Sequence, residues 1–149
     1  MLSKWLAAVV ASGIALALSC TPANAAATAG SFGNFAGPKA CLDYRSDYGV
    51  YVTTCNYGYY QEWYYDPEVP KTALRQRATG LCLTVRSGQP AMRSCSASDP
   101  AAFWHVESST TLAIRNDYYP FSCLGRMKND RVNLPSCSGG DSQRWYPWP

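Results

Sequence analysis

One spacing constrains the fold of this sequence more than any other feature. Cysteine occurs at positions 41, 82 and 123, so each occurrence lies 41 residues beyond the previous one. Tryptophan keeps the same step at positions 63, 104 and 145. The position two before each tryptophan also recurs, as glutamine, alanine and glutamine. Markers that share one period three times indicate internal repetition, in which each copy is one structural unit. We therefore predict three repeats of about 41 residues.

Each repeat carries the pattern of a β-hairpin. The copies run from a Cys-Leu pair to a second cysteine, as "CLDYRSDYGVYVTTC", "CLTVRSGQPAMRSC" and "CLGRMKNDRVNLPSC". Turn-forming residues such as Asp47, Gly88 and Asn129 lie between the two cysteines, which favours a hairpin-like connection. Helical periodicity is absent from residues 26–149, and β-branched and aromatic residues dominate the short runs. The fold class is therefore predicted to be all-β.

The repeated apolar positions define the expected core. We predict that the three tryptophans meet near a pseudo-three-fold axis, because every repeat keeps them. Gln61 and Gln143 are expected to satisfy backbone groups that would otherwise be buried unpaired. The other predicted core positions are the leucine after each first cysteine and the apolar residue three before each second cysteine: Leu42, Leu83, Leu124, Val52, Met92 and Leu134.

A further strand is expected before each Cys-Leu pair. The segments "ALRQ" (73–76) and "AIRN" (113–116) occupy matching places before the second and third pairs. Phe32 and Asn34 precede Cys41 by nine and seven residues, as Ile114 and Asn116 precede Cys123. The third copy ends without such a strand, so the N-terminal segment can complete it. We predict a closed three-fold ring sealed by pairing of its two ends, which leaves no free sheet edge.

The N-terminal residues predict export. Lys4 precedes an apolar run over residues 5–18, and Ala23-Asn24-Ala25 supplies small residues at alternate positions. This pattern is typical of a secretory signal over residues 1–25, cleaved after Ala25. The apolar run is too short to span a bilayer, so we expect no membrane insertion. A lipoprotein acylated at Cys20 is the alternative. The remaining 26–149 are predicted to form a single domain.

Cysteine count and charge exclude several partners. Residues 26–149 contain six cysteines, an even set that predicts three disulfides in an exported chain; they are Cys41, Cys55, Cys82, Cys95, Cys123 and Cys137. Composition alone leaves all pairings open. No close CxxC pair occurs, so no metal site is expected, and no cofactor either. Without Lys4, 12 basic residues face 10 acidic ones with no basic run. We therefore expect no nucleic-acid partner.

These repeats resemble the ricin-B-type β-trefoil lectins, also grouped as family 13 carbohydrate-binding modules. The resemblance lies in three QxW-like elements, the Cys-Leu pairs and one cysteine pair per repeat; the elements are Gln61-Glu62-Trp63, Ala102-Phe103-Trp104 and Gln143-Arg144-Trp145. It implies a β-trefoil with pseudo-three-fold symmetry. Together with the three-fold repetition, it also implies one disulfide within each repeat, joining 41 to 55, 82 to 95 and 123 to 137.

The resemblance further implies a shallow sugar pocket within a repeat. An aspartate two after the first cysteine accepts hydrogen bonds from sugar hydroxyls, and polar and aromatic residues surround it. The first repeat keeps Asp43 and Gln61 but has Tyr51 at the polar position, Thr53 at the stacking position and Tyr60 in place of asparagine. We predict one rearranged carbohydrate site formed by Asp43, Tyr51, Tyr60 and Gln61, with a solvated surface carboxylate as the alternative.

The other two repeats depart further from the family pattern. We expect both of their pockets to be silent, although Asn133 and the nearby Asp141 are polar groups that a third-repeat site could use. The residues at the pocket positions are Thr84, Ala91, Arg93, Ala101 and Ala102 in the second repeat, and Gly125, Asn133, Pro135 and Ser142 in the third.

Catalysis has no recognisable motif in this sequence. The single histidine, His105, follows Trp104 on an expected strand and should face away from the core. We therefore expect a non-catalytic carbohydrate-binding protein with a carbohydrate or glycoconjugate partner. The alternative is a trefoil that binds a protein, as an inhibitor or a toxin-type delivery subunit, through the terminal aromatic residues 145–148. Among the tyrosines at 57, 59, 60, 64 and 65, alternation predicts that only some are exposed.

Overall fold

The computed structural model describes residues 27–37, 39–108 and 112–148. These residues form an all-β chain with two short 3-10 turns and no α-helix, as the sequence predicts. None of their helical segments has the length and apolar character needed to cross a bilayer. The strands are β1 Thr28–Asn34, β2 Ala40–Arg45, β3 Gly49–Thr54, β4 Trp63–Tyr65, β5 Thr72–Ala73, β6 Arg75–Gln76, β7 Cys82–Arg86, β8 Gln89–Arg93, β9 Phe103–Val106, β10 Ile114–Asn116, β11 Gly125–Arg126, β12 Val132–Asn133 and β13 Trp145–Trp148. The 3-10 turns are Pro100–Ala102 and Asp141–Gln143.

Each cysteine pair encloses one antiparallel hairpin, and the three hairpins are β2–β3, β7–β8 and β11–β12. The disulfides join Cys41 to Cys55, Cys82 to Cys95 and Cys123 to Cys137. The predicted arrangement of one disulfide per repeat is therefore confirmed. The predicted signal segment and Cys20 lie outside the described residues.

The two ends of the described chain close the ring. Strand β1 pairs with β13 in antiparallel register, so that Ser31 lies opposite Trp148 and Asn34 lies opposite Trp145. The same strand also pairs with β2 and β4. Gly33 allows this contact, because a Cβ atom there would lie 2.4 Å from the ring of Tyr146. The sequence prediction of a ring sealed by its two ends is confirmed.

Three buried indoles form the centre of the core. Trp63, Trp104 and Trp145 are almost completely shielded from solvent. Each indole removes an apolar surface of about 150–250 Å² from water. Their Nε1 groups donate hydrogen bonds of 3.2, 2.9 and 2.9 Å to the carbonyl oxygens of Leu42, Leu83 and Leu124, whose side chains are also buried. The same bond recurs at the same sequence separation in all three repeats, and the predicted burial of the three tryptophans and the three leucines is confirmed.

The third hairpin departs from the predicted core in one position. Val52 and Met92 are buried as expected, whereas Leu134 is only partly buried. The hairpin of the third repeat is short, and β12 ends at Asn133, before Leu134. Val132 is the buried side chain of that strand instead.

A buried amide connects each repeat to its neighbour. The side-chain nitrogens of Gln76, Asn116 and Asn34 donate to the carbonyl oxygens of Tyr60, Ala101 and Ser142, at 2.6, 2.9 and 3.0 Å. Those carbonyls lie 41 residues apart in the sequence. The three-fold order of the β-trefoil therefore extends from its apolar core to its polar contacts.

Candidate functional site

The first repeat contains an open cavity of about 430 Å³ beside hairpin β2–β3. Three of the four predicted site residues, Asp43, Tyr51 and Tyr60, line this cavity, and Gln61 lies behind Asp43. The structure therefore brings all four residues together. The complete lining is Asp43, Arg45, Ser46, Asp47, Tyr51, Asn56, Tyr60 and Thr79.

Asp43 forms the base of this cavity. Strand alternation places it on the face opposite the core residue Leu42, and it lies across the hairpin from Tyr51. The residue is only 4 % exposed, so it is not the solvated surface carboxylate considered from the sequence. Burial raises the pKa of this carboxyl, and a hydrogen bond from Gln61 opposes the rise. A buried acid in a cavity is a typical feature of a binding site.

The two oxygens of Asp43 have different surroundings. Oδ2 accepts a hydrogen bond of 3.1 Å from Nε2 of Gln61. Oδ1 is buried without a hydrogen-bond partner among the described residues. The Tyr51 hydroxyl and the Tyr44 amide are close enough to lower the pKa of the carboxyl but do not complete its hydrogen bonding at Oδ1. One acceptor at the base of the cavity thus lacks a donor.

Gln61 performs the architectural role expected from the sequence. Its Oε1 accepts from the Asn56 amide at 2.8 Å, and its Nε2 donates to the Thr54 carbonyl at 3.0 Å. Gln143 makes the same two bonds in the third repeat, with Ser138 and Ser136, at 2.8 and 2.9 Å. Only Gln61 adds a third bond, to Asp43. The first repeat therefore couples a structural amide to the candidate site.

Aromatic side chains form the walls of the cavity. Tyr51 packs edge to face against Tyr48, with 4.9 Å between ring centroids. The Arg131 guanidinium, from the third repeat, lies over the Tyr48 ring, 3.6 Å from its centre. Tyr60 is 53 % exposed and leaves the cavity open. A buried acceptor beneath aromatic walls matches the mixture of polar and apolar surfaces found in ligand pockets.

Five lining residues were not identified from the sequence, and they are Arg45, Ser46, Asp47, Asn56 and Thr79. Arg45 and Asp47 form an exposed ion pair of 2.7 Å at the rim, and Asp47 was interpreted only as a turn residue. Asn56 follows the second cysteine and accepts from the Gly58 amide at 2.8 Å, a local turn that its position could have indicated. Thr79 comes from the connection between β6 and β7, and no sequence signal assigns it to this pocket.

The second repeat lacks the aspartate on its first hairpin strand but gains a carboxylate from elsewhere. Thr84 is buried, and its hydroxyl donates to Oδ2 of Asp99 at 2.9 Å. Arg86 donates to the same oxygen at 2.7 Å and lowers the pKa of Asp99. Asp99 also caps the 3-10 turn Pro100–Ala102, a role that the Asp-Pro pair indicates. The prediction that this repeat is silent stays a prediction, and its acid is already hydrogen-bonded within the protein.

The third repeat is crowded at the position of the missing aspartate. A Cβ atom on Gly125 would lie 3.0 Å from Oδ1 of Asn133 and 3.2 Å from Cγ of Pro135. Asp141, the other acid considered from the sequence, is bonded to Arg144 at 3.3 Å. The side chains of Asn133 and Pro135 would therefore have to shift to accept an aspartate at position 125.

The remaining sequence predictions concern tyrosines and His105. Tyr57, Tyr59 and Tyr60 are exposed, whereas Tyr65 is buried, as alternation predicts. The His105 Nε2 atom lies 2.8 Å from Oδ1 of Asp117, a carboxylate partner that the sequence did not reveal. Lys71 binds the other oxygen of Asp117, also at 2.8 Å, and this hydrogen bond is the main reason that the pKa of Asp117 is low.

The closed three-fold ring and its pocket define the class of β-trefoil domains with a carbohydrate-binding fold. Comparison with known families supports this class: the family model described as the ricin-type β-trefoil lectin domain matches residues 28–145. The chain therefore belongs to that family. No curated protein matches the sequence.

Solved structures share this fold at low sequence identity. The designed three-fold symmetric protein ThreeFoil is 18 % identical, with a TM-score of 0.71 over 81 % of this chain and 98 % of its own. A lectin of Polyporus squamosus, solved with a human-type influenza-binding epitope, is 10 % identical, with a TM-score of 0.67 over 82 % of this chain and 49 % of its own. A mosquitocidal holotoxin is 18 % identical, with a TM-score of 0.70 over 82 % of this chain. This chain spans only 17 % of the holotoxin.

Proposed function

We propose that this protein is a secreted, non-catalytic carbohydrate-binding protein whose sugar site is the cavity of the first repeat. One observation carries the proposal: the buried carboxylate of Asp43 lines an open, aromatic-walled cavity, and one of its oxygens has no donor among the residues that the structure describes. An unsatisfied buried acceptor is costly, with a penalty of about 1–3 kcal/mol. Because Oδ1 is shielded from solvent, a sugar hydroxyl would supply the missing hydrogen bond once the lining side chains move aside.

The lining residues fit the two kinds of surface on a sugar. Asp43 accepts a hydroxyl at the base, while the Arg45–Asp47 pair and Asn56 offer polar groups at the rim. Tyr51 and Tyr60 present aromatic surface and hydroxyl groups at the walls. Gln61 holds Asp43 in position from behind. The lectin of Polyporus squamosus, which shares the fold, was solved with a bound glycan epitope, and this supports the proposal at the level of the fold.

The decisive experiment compares binding of the wild type with Asp43→Asn. Both proteins are applied to a glycan array and to insoluble xylan, chitin and cell-wall material. Asparagine keeps the size of the side chain but loses the charge and one acceptor, so binding should be lost. Asp141→Asn, in the third repeat, serves as the matched control and should bind like the wild type. Equal retention of the Asp43→Asn variant and the wild type would refute the assignment of this site.

Export is tested separately, by intact mass and N-terminal sequencing of the protein from its native culture medium. Cleavage of the predicted signal after Ala25 gives a mature protein that begins at Ala26. A lipid adduct on Cys20 would instead support anchoring as a lipoprotein.

A second candidate function is recognition of a protein, and an exposed aromatic cluster favours it. Phe35 and Trp148 are 40 % and 46 % exposed, and both contact Tyr146, with centroid distances of 5.0 and 5.3 Å. Aromatic residues are enriched in protein interfaces. Affinity capture from the native culture medium, with Trp148→Ala as control, tests this function. A stoichiometric partner retained by the wild type and lost by the variant would favour it over sugar binding.

A further inference from the structure

Two loops of this protein share one backbone but differ in their side chains. The loop at residues 56–61 in the first repeat and that at 138–143 in the third each close through the QxW glutamine. In both loops the amide of the third residue bonds to the side chain of the first, at 2.8 and 3.3 Å. The glutamine amide then bonds to the carbonyl of that third residue, at 2.8 and 2.9 Å. The first and third repeats therefore form this loop with the same polar contacts.

The first-repeat loop adds three tyrosines that the third repeat omits. Tyr57, Tyr59 and Tyr60 stand where the third repeat has Gly139, Asp141 and Ser142. Their side chains are 57 %, 59 % and 53 % exposed. Because the third repeat builds the same loop without them, the tyrosines are not needed to form it.

One of these tyrosines occupies an unfavourable backbone conformation. Tyr57 has a φ of 56°, in the left-handed region that disfavours bulky side chains. The equivalent Gly139 has a φ of 73°, which glycine adopts without strain. A strained residue with an exposed side chain is a reason to look for function, because the fold gains nothing from it.

The tyrosines adjoin the candidate sugar site. Tyr60 lines the cavity, and Asn56 at the start of the loop lines it too. The Arg77 guanidinium lies 3.9 Å from the centre of the Tyr59 ring and also pairs with Glu62. This contact holds one face of Tyr59 against the protein and leaves the remaining ring surface exposed. Tyr57 and Tyr59 belong to the same short loop as these two lining residues, so exposed rings lie on the chain segment that borders the pocket.

We propose that residues 57–60 form a stacking platform that extends the Asp43 pocket, so that the ligand is an oligosaccharide chain and not a single terminal sugar. This inference rests on the proposed function. Asp43 would fix the hydroxyls of one sugar unit, and the exposed tyrosine rings would pack against the apolar C–H faces of the units that follow. Rigid aromatic side chains suit this role because they supply contact area with few rotatable bonds.

The test measures affinity as a function of ligand length by isothermal titration calorimetry. The probes are xylose, N-acetylglucosamine and galactose, together with six-unit oligomers of each. The variants are Asp43→Asn, the double change Tyr57→Gly with Tyr59→Ala, and Tyr118→Ala as an exposed tyrosine elsewhere. For a sugar that binds, the wild type should prefer the six-unit form. The double variant should bind the six-unit form with about tenfold lower affinity and should bind the single sugar as the wild type does. Tyr118→Ala should match the wild type.

The possible results separate the two proposals. If the double variant loses affinity by the same factor for short and long ligands, or keeps the wild-type affinity for both, the platform is refuted while the pocket stands. If the wild type binds both lengths equally, the platform is also refuted. If Asp43→Asn still binds the six-unit form like the wild type, or if the wild type binds none of the probes, the proposed function fails and the platform fails with it.

Discussion

Replacing Gln61 with methionine should be much more destabilising than the same replacement of Gln143. The two side chains are buried at equivalent positions and make two equivalent bonds to the backbone. Methionine nearly preserves the shape of glutamine, so neither change opens a cavity. Gln61 alone also donates to the carboxylate of Asp43. The difference between the two variants therefore reports that third bond.

The expected magnitudes follow from this bond count. Loss of two neutral hydrogen bonds should cost Gln143→Met about 2 kcal/mol, at about 1 kcal/mol each. Gln61→Met loses the same two bonds and one to a charged group, which adds about 1.5–3 kcal/mol. Its total should reach about 4 kcal/mol, a large part of the stability of a domain of this size.

Equilibrium unfolding in urea, with the disulfides intact, measures both variants against the wild type. The slope of the free energy of unfolding against urea concentration should be the same for all three proteins, so the shift of the midpoint alone reports the change in stability. The reasoning would be refuted if Gln61→Met and Gln143→Met lowered the free energy of unfolding by the same amount to within about 0.5 kcal/mol, the usual error of additivity. The contact between Gln61 and Asp43 would then contribute nothing, and the description of the site's base would be wrong.

The remaining predictions concern acidity, strain and ring closure. Because burial raises the pKa of Asp43, this carboxylate becomes protonated at a higher pH than an ordinary aspartate does. Sugar affinity should therefore begin to fall at that higher pH as the solution is acidified. Binding titrations over a pH series check this, and an affinity that does not change with pH would contradict it. A raised pKa also means that the charge on Asp43 destabilises the folded state at neutral pH, and that this cost disappears as the pH falls. Asp43→Asn removes the charge, so it should not lower the free energy of unfolding. Tyr57→Gly should raise the melting temperature, whereas Gly139→Ala, whose Cβ meets nothing within 4 Å, should cost about 1 kcal/mol through backbone strain alone. Gly33→Ala should cost about 1–3 kcal/mol by overpacking against the ring of Tyr146, and unchanged stability in urea would contradict the observed pairing of β1 with β13.

The fold was predictable because its constraints are repeated. The cysteine and tryptophan steps locate the hairpins and the core three times over, and three-fold order then implies closure of the ring. Leu134 was misplaced because the pattern does not show that β12 is too short to bury it. Local sequence gives the face of a strand but not where that strand ends.

The candidate site was predictable only in part. Asp43 and Gln61 could be located by their distance from cysteine and tryptophan, and alternation turns Asp43 away from the core. The presence of Thr79 could not be anticipated, because a connection from outside the hairpin brings it to the same cavity. Asp99 likewise reaches its hairpin from outside it. Contacts between segments that are distant in sequence leave no periodic signal.

The matched loops of the first and third repeats have a consequence for engineering. Because both close with the same hydrogen bonds, the tyrosine-bearing sequence of residues 56–60 can be transplanted onto 138–142 without altering the backbone. Completing a second pocket would also require an acid at Gly125 and smaller side chains at Asn133 and Pro135, which crowd that position. Such a bivalent derivative would hold a polysaccharide at two points and gain avidity from the high local concentration of the second contact.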